Sequence, residues 1–284
     1  MPFDPRRLLT LRSLDQRIDY SERDTMLYAL GIGFGRDQAR RGELPFVFEG
    51  HGLQTVPSFA SAIAQSPFLR GCGWNENQLV PWSERLVLHR PLPPSGRIAL
   101  DCGVTAVHDL GPQAGALVQV GMTGRHHGEE QPLFTIERGI LARGDGGFGQ
   151  QVGLLPEPAP IPARKPDLTC MLEVRPEQSL LYRLSGDLNP IHADPDLARR
   201  AGLPGPVMQN LCTLGMACRG VLETICEFDP LLIRSIEGRF TGGVYPGDQL
   251  ELELWQHANV VSFRAQVPAR GRTVLDHGRC QLHS

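Results

Sequence analysis

The sequence contains no apolar run long enough to cross a bilayer, which takes about 20 residues in a helix. Residues 1–16 mix Asp and Arg with apolar residues and lack the apolar core of a secretory signal. The C-terminal Leu282-His283-Ser284 is not a peroxisomal address of the Ser-Lys-Leu type. We therefore expect no membrane partner and a cytoplasmic location.

The chain also lacks an excess of basic charge. Its net charge is −3 and its Lys and Arg residues are scattered, so no nucleic-acid partner is indicated. No Cys-x-x-Cys pair occurs among the seven cysteines, which suits reduced thiols in an apolar core. With 284 residues, 41% of them hydrophobic, the chain can form one large or two mid-sized domains.

Several catalytic motifs are missing. There is no Gly-x-Ser-x-Gly elbow and no phosphate-binding loop of the Gly-x-x-x-x-Gly-Lys type. Gly144–Gly149 reads as Gly-x-Gly-x-x-Gly after a strand, but a proline-rich tract follows it instead of the helix that a dinucleotide site requires. Adjacent His126 and His127 would point to opposite sides of a hairpin, and no further metal ligands stand at zinc spacing. We expect no metal and no nucleotide cofactor.

The densest group of chemically useful residues is Gly186-Asp187-Leu188-Asn189-Pro190-Ile191-His192. Pro190 fixes its own φ and moves Asn189 out of the helical region, so the backbone of this turn is largely fixed. A carboxylate and an imidazole held in this way can converge on one water, as general acid–base chemistry requires. The alternative is an ordinary turn with a helix cap, since Asp, Asn and Pro are common turn residues.

A helix start is predicted directly after this turn. Pro195–Gly202 reads as a short helix, with Pro early and Gly at its end. After Pro204-Gly205-Pro206, the apolar run from Val207 to Cys226 predicts a buried helix. Its first free N–H groups, near Gln209 and Asn210, would favour an anion or a developing oxyanion.

This segment resembles the hydratase 2 motif of the MaoC-like, hotdog-fold dehydratases, whose core is Gly-Asp-x-Asn-Pro-[Ile/Leu]-His. The resemblance implies that Asp187 and His192 form the catalytic pair and that Asn189 orients them. The family usually has His-Gly where this chain has Gln209-Asn210, so the oxyanion-binding N–H would come from Asn210. Gln209 and Gly205 are the other substrate-binding candidates in this half of the chain.

The resemblance extends to the first half of the chain. Glu22–Gly33 matches the family's Glu-Arg-Asp-x-x-x-Tyr-Ala-Leu-Gly-x-Gly, and Tyr28 and Glu49 fall on positions that line its active site. From the residues alone, a Tyr on a helix and a Glu at a strand end are more often structural. The resemblance implies that both reach the site from across the interface between the halves.

The pattern of elements predicts an α+β fold. Residues 1–17 read as an extended lead-in, Ser21–Gly33 as a capped helix and Leu44–Glu49 as a strand. Gly and Pro clusters separate further apolar runs, as in an antiparallel meander. These predicted strands are Arg85–Arg90, Ile98–Leu100, Val104–Leu110, Ala116–Met122, Phe134–Arg143, Ile233–Phe240, Gln249–Trp255, Val260–Val267 and Thr273–Cys280, with a strand or short helix around Leu172.

Five prolines between Pro156 and Pro166 predict an extended linker. We expect a first unit at 1–155, the linker at 156–166 and a second unit at 167–284. The family resemblance implies a double hotdog, in which antiparallel sheets wrap two long central helices. It also implies that the first unit supplies the acyl-tail pocket, because the catalytic motif occurs only in the second.

The function implied by the resemblance is hydration of a trans-2-enoyl-CoA to the (3R)-3-hydroxyacyl-CoA, or the reverse. Coenzyme A would enter only as part of the substrate, and we expect a homodimer. Related alternatives are the same chemistry on an acyl carrier protein or on a short branched dicarboxyl thioester. A thioesterase or a non-catalytic acyl-thioester binding module on the same fold stays open, because fold does not fix function.

Overall fold

The structure is a computed structural model that describes residues 5–37, 39–65, 74 and 78–283. An antiparallel sheet of eleven strands dominates it. The strands are β1 (Arg12–Tyr20), β2 (Leu79–Leu88), β3 (Gly96–Asp109), β4 (Ala116–His126), β5 (Pro132–Ala142), β6 (Gln151–Val152), β7 (Leu168–Glu173), β8 (Ile233–Phe240), β9 (Gln249–His257), β10 (Val260–Val267) and β11 (Arg272–Leu282).

The two halves of the chain share this sheet. The strand order is β1-β3-β4-β5-β2-β8-β11-β10-β9-β7, and β6 pairs with β3. The halves join where β2 pairs with β8, with Ser83 opposite Arg239 and Val87 opposite Ser235. Backbone hydrogen bonds therefore run without a break from the first half into the second.

Seven α-helices lie in the described part of the chain, and none of them is long and apolar enough to span a membrane. They are α1 (Pro5–Leu8), α2 (Glu22–Gly31), α3 (Leu44–Val47), α4 (Phe59–Ile63), α5 (Gln178–Tyr182), α6 (Pro195–Arg200) and α7 (Asn210–Thr224). Among the described helices, only α7 is long and central: it has 15 residues, and Cys212–Leu222 are all buried. In the described first half, the longest helix is α2, with ten residues.

Two glycines let α7 approach its neighbours closely. A β-carbon on Gly220 would come within 2.5 Å of Leu252 Cδ2 on β9, and one on Gly215 within 2.6 Å of Ile32 Cγ2, directly after α2. Such distances are shorter than van der Waals contact. The helix is thus packed between the sheet of the second half and the helices of the first.

Most predicted elements are present. The helix beginning after Ser21 is confirmed as α2, and the Asp24 carboxylate accepts a 2.8 Å hydrogen bond from the Ser21 backbone N–H. The helices predicted at Pro195–Gly202 and Val207–Cys226 are α6 and α7. The four strands predicted after α7 are β8–β11, because their alternating apolar residues face the core.

Three predictions of local structure were wrong. The strand at Leu44–Glu49 is instead α3, followed by a 3₁₀ turn at Glu49–His51; a short apolar run does not by itself separate strand from helix. The lead-in over 1–17 contains α1 and most of β1, an edge strand whose many exposed polar residues hide its pattern. Two predicted strands between Ile98 and Leu110 are one continuous strand, β3.

A buried ion pair links α7 to the first half. Arg219 Nη2 donates to Glu43 Oε1 at 2.7 Å, and the two side chains are 9% and 1% exposed. The other Glu43 oxygen accepts a 2.6 Å hydrogen bond from the Gly35 N–H. Because neither charge reaches water, each depends on its partner.

We predict that Arg219→Met destabilises the protein by about 3–5 kcal/mol, because it leaves the Glu43 carboxylate buried and unpaired. Urea unfolding followed by circular dichroism measures this loss. Arg17→Met is the control: Arg17 pairs with Asp19 at 2.8 Å, but both side chains are 54% exposed, so the change should cost less than about 1 kcal/mol. Equal unfolding midpoints for the two variants would contradict the prediction.

Candidate active site

The turn between α5 and α6 carries the predicted catalytic residues. A 3₁₀ turn at Arg183–Ser185 ends at Gly186, whose φ of +121° suits glycine. Asn189 is extended, with ψ 122°, as expected before Pro190. Its side-chain oxygen accepts a hydrogen bond from the Ile191 N–H at 3.2 Å and caps the 3₁₀ turn Pro190–His192. The local sequence thus fixes both ends of this turn.

Asp187 and His192 are brought together. The Oδ2 atom of Asp187 lies 3.4 Å from Nε2 of His192, and the side chains are 35% and 12% exposed. The Asn189 backbone N–H donates to the other Asp187 oxygen at 3.3 Å. Solvent therefore reaches the carboxylate, while the imidazole is held almost entirely inside the protein.

The second ring nitrogen of His192 fixes its tautomer. Nδ1 lies 2.7 Å from the Val207 carbonyl oxygen, which can only accept a hydrogen bond. The proton of a neutral ring therefore sits on Nδ1, and the lone pair is on Nε2, facing Asp187. In this state Nε2 can take a proton, and after protonation it can return one.

The pKa of Asp187 lies below its usual value. Burial raises this pKa, but three effects together outweigh it: the hydrogen bond and charge of His192 once its Nε2 is protonated, the Asn189 N–H, and the charge of Arg138. Asp187 therefore stays ionised at neutral pH. Because its folded-state pKa is lowered, the stability it contributes is present above the unfolded pKa and is lost as the pH falls through the folded one.

The start of α7 lies beside this pair. Val207, which binds His192, is three residues before Asn210, the first residue of the helix. The amides of Cys212 and Thr213 bond to the Gln209 carbonyl, whereas in the described structure Asn210 N–H has no backbone acceptor. A donor without a backbone acceptor therefore lies at the positive end of a 15-residue helix, three residues after the residue that binds His192.

Gln209 precedes this helix and is buried. Its side-chain nitrogen donates to the Ser179 carbonyl on α5 at 3.2 Å, so it ties the start of α7 to the helix that leads into the catalytic turn. Gly205 is half-buried, and no described atom lies within 4 Å of a β-carbon placed on it. The structure therefore gives Gln209 a positioning contact but shows no close approach that would require glycine at position 205.

The two candidates from the first half have different surroundings. Tyr28 is 1% exposed and donates to Ser58 Oγ at 2.8 Å, and its ring lies 5.8 Å from that of Tyr182. Glu49 is exposed at the start of a 3₁₀ turn and not at a strand end as predicted. In the described structure neither side chain has a hydrogen bond or ion pair with Asp187 or His192.

A buried ion pair near the Gly186–His192 turn was not predicted from the sequence. Arg138 on β5 and Glu84 on β2 are register partners, and Arg138 donates to both Glu84 oxygens at 2.8 Å. The alternation of side chains along β2 could have predicted it, because Glu84 lies on the same face of the strand as the buried Leu86 and Leu88. A charged residue on the inward face of a strand predicts a buried partner.

The glycine-rich segment Gly144–Gly149 leads into a strand and not into a helix. The Asp109 carboxylate accepts hydrogen bonds from the backbone N–H groups of Gly111, Gly147 and Gly149, so the loop closes on the end of β3. The short strand β6 follows, where a dinucleotide site would require a helix. Among the described residues, no group of three His, Cys, Asp or Glu could hold a metal ion.

Comparison with known proteins decides the family. The sequence model of the MaoC like domain matches residues 158–276, and that of the MFE-2 hydratase 2 N-terminal domain matches residues 18–144. The peroxisomal enoyl-CoA hydratase 2 of Arabidopsis thaliana is 33% identical over 96% of this chain and 94% of its own length. The chain belongs to the MaoC-like hydratase 2 family.

Two solved structures share the fold of this family member. A MaoC-like dehydratase from Phytophthora capsici has a TM-score of 0.89 and 25% identity, covering 99% of this chain and 98% of that one. A Mycobacterium tuberculosis protein described as a double hotdog has a TM-score of 0.60 and 17% identity, covering 99% and 98%. The predicted double-hotdog fold is confirmed, with its two sheets continuous through β2 and β8.

We predict that neutral His192 carries its proton on Nδ1, because the Val207 carbonyl can only accept. Long-range ¹⁵N–¹H spectra of the imidazoles at mildly alkaline pH distinguish the two tautomers, and the His192→Gln variant assigns the signal. Exposed His257 serves as the free-imidazole control within the same spectrum. An Nε2–H tautomer for His192 would contradict the geometry.

Proposed function

We propose that this hydratase 2 family member is a hydro-lyase that hydrates trans-2-enoyl-CoA to (3R)-3-hydroxyacyl-CoA, or catalyses the reverse dehydration. The observation that carries the proposal is the pairing of Asp187 with His192 Nε2, 3.4 Å apart, beside the free N–H at the start of α7. An acid–base pair and an oxyanion donor in one place are what addition of water to a conjugated thioester requires.

In hydration, Asp187 and His192 hold one water between them. The pair takes a proton from this water as its oxygen bonds to C3 of the substrate, and the electron pair of the C2–C3 double bond moves toward the thioester carbonyl. The pair then delivers the proton to C2 on the same face. One water is consumed, and both side chains return to their starting protonation states.

Backbone groups of Asn189 and Val207 hold the side chains of this pair in place. The Asn189 N–H holds Asp187 at 3.3 Å, and the Val207 carbonyl holds the imidazole at 2.7 Å. Each reacting side chain thus has one atom fixed by backbone and one facing the water. Fixed geometry of this kind lowers the barrier because less orientational entropy is lost in the reaction.

The Asn210 N–H would meet the negative charge that develops on the thioester oxygen. It stands at the amino end of α7, where the helix dipole also favours an anion. The proposed reaction moves only water and protons, so it requires neither a metal nor a redox group. Coenzyme A takes part as the carrier of the acyl group.

We expect Asp187→Asn and His192→Gln each to lower kcat by roughly 10²–10⁴-fold, because each removes one half of the acid–base pair. The assay follows the loss of enoyl absorbance with short and medium trans-2-enoyl-CoA substrates, and chiral chromatography identifies the product. Asp196→Asn, an exposed change on nearby α6, should retain wild-type activity.

Formation of the (3S) product, or full activity in both variants, would contradict the proposal. A wild-type protein that leaves the enoyl absorbance unchanged but releases free thiol would be a thioesterase. Binding of the thioester without either change would identify a binding module.

Asn210→Pro offers a direct test of the oxyanion donor. Proline lacks the N–H but is well tolerated at the first residue of a helix. The preceding Gln209 already has φ −60° and ψ 136°, the extended conformation that a following proline requires. We predict a fall in kcat of about 10²–10³-fold, the typical cost of losing one such donor, with little change in unfolding midpoint.

Asn210→Ala is the matched control, because it removes the side chain and keeps the backbone N–H. It should retain most of the activity. Equal losses in the two variants would mean that the Asn210 side chain, and not its backbone, acts on the substrate.

A further inference from the structure

The Glu84–Arg138 ion pair lies in the first half of the chain, yet the groups it binds lead to the catalytic turn of the second. Glu84 has no exposed side-chain surface, and Arg138 is 13% exposed. Arg138 uses two nitrogens, Nε and Nη2, for both oxygens of Glu84, at 2.8 Å each. Glu84 therefore fixes the plane of the guanidinium group.

Arg138 directs its remaining donors at the end of α4. Its Nη2 also donates to the Ser61 carbonyl at 3.0 Å, and its Nη1 donates to the Ala64 carbonyl at 3.2 Å. Carbonyls in the last turn of a helix have no partner within the helix, and a cation at that end is favoured by the helix dipole. Arg138 thus binds the carboxyl end of α4 to the sheet.

The catalytic turn lies against this same helix end. Gly186 has no β-carbon, but one built on it would stand 3.7 Å from Gln65 Cγ and 3.9 Å from the Ala62 carbonyl oxygen, so the turn and the end of α4 are close neighbours. Gln65 is itself held, since its side chain donates to the Ala62 carbonyl and its own carbonyl accepts from Gln16. Gly186 directly precedes Asp187, so the position of α4 limits where the carboxylate can be.

We propose that Glu84 and Arg138 are positioning residues for the reaction: through the end of α4 they hold the Gly186–Asp187 backbone at the distance from His192 that proton transfer requires. Neither residue touches the substrate in this arrangement. The inference rests on the proposed function, and it makes the first half part of the catalytic machinery of the second.

The charge of Arg138 adds to this mechanical role. It is one of the groups that lower the pKa of Asp187. The other groups facing Asp187 are His192, which also lowers its pKa, and the buried phenol of Tyr182, whose own pKa is raised by burial above all. Loss of Arg138 should therefore raise the pKa of Asp187.

Stability does not by itself explain why this pair is charged. Replacing both members of a buried ion pair with apolar residues of similar size is often neutral or stabilising. The double variant Glu84→Leu/Arg138→Met removes both charges and should fold. Glu84→Gln/Arg138→Gln is the second variant, and it serves the same measurements if the apolar pair aggregates.

The control is the neighbouring cross-strand pair on the opposite face of the same strands. Arg85 and Glu137 are register partners 3.3 Å apart, and both are about half exposed. Arg85→Met/Glu137→Leu changes the same strands without reaching α4. It should retain the wild-type kcat and pH profile.

For the folded Glu84/Arg138 double variant we expect kcat to fall about tenfold or more, as for a small displacement of a reacting group, with KM changed less than about twofold. Arg138→Lys keeps the charge but not the paired donors of the guanidinium group, so it should recover only part of kcat. Wild-type kcat in the double variant would overturn the proposal.

A readout without turnover separates this inference from the proposed function. The carboxyl ¹³C signal of Asp187, assigned by its loss in Asp187→Asn, is titrated in the substrate-free protein. It should titrate at higher pH in the double variant than in the wild type and the control. Because Arg138→Lys keeps the positive charge, its titration tests the position of the Asp187 carboxylate apart from that charge. If no variant or wild-type protein hydrates enoyl-CoA, a shifted titration in Arg138→Lys still supports the positioning role, and an unshifted one refutes it.

Discussion

The hydrogen bond between His192 Nδ1 and the Val207 carbonyl is the contact on which the site depends. It selects one tautomer of the imidazole, and it ties the catalytic turn to the residues directly before α7. The Asp187–His192 pair is thereby linked to the start of α7, where the Asn210 N–H has no backbone acceptor in the described structure. Without this bond, the turn and the helix start would be two unrelated local structures, and neither could carry out the reaction alone.

Paired charges and buried amides join the two halves around this site. Arg219 reaches from α7 to Glu43, and Gln178 on α5 bonds to both Gly31 and Arg36 of the first half. Each of these groups would cost free energy if left unpaired inside the protein. The continuous sheet and these contacts therefore favour one relative placement of the halves, although a proline-rich segment connects them in sequence.

The prediction of strands and helices succeeded where the pattern was long and failed where it was short or exposed. The second half alternates cleanly, and its strands were predicted with bounds close to those observed. The apolar stretch at Leu44–Val47 is too short for a period to be read, and its Pro45 is as acceptable early in a helix as in an edge strand. Strand β1 lies at the sheet edge, where polar residues are tolerated on both faces.

The sequence by itself determined the Gly186–His192 turn, since Gly186, Asn189 and Pro190 fix its backbone through local sterics and one side-chain cap. It also determined the family, the fold class and the start of α7. Only the tertiary structure decided that Tyr28 is buried against Tyr182 and that Arg138 joins Glu84 to the end of α4, because such contacts join residues far apart in the chain. Local backbone preferences act over a few residues, whereas the packing of two halves depends on the shape and charge of the whole core.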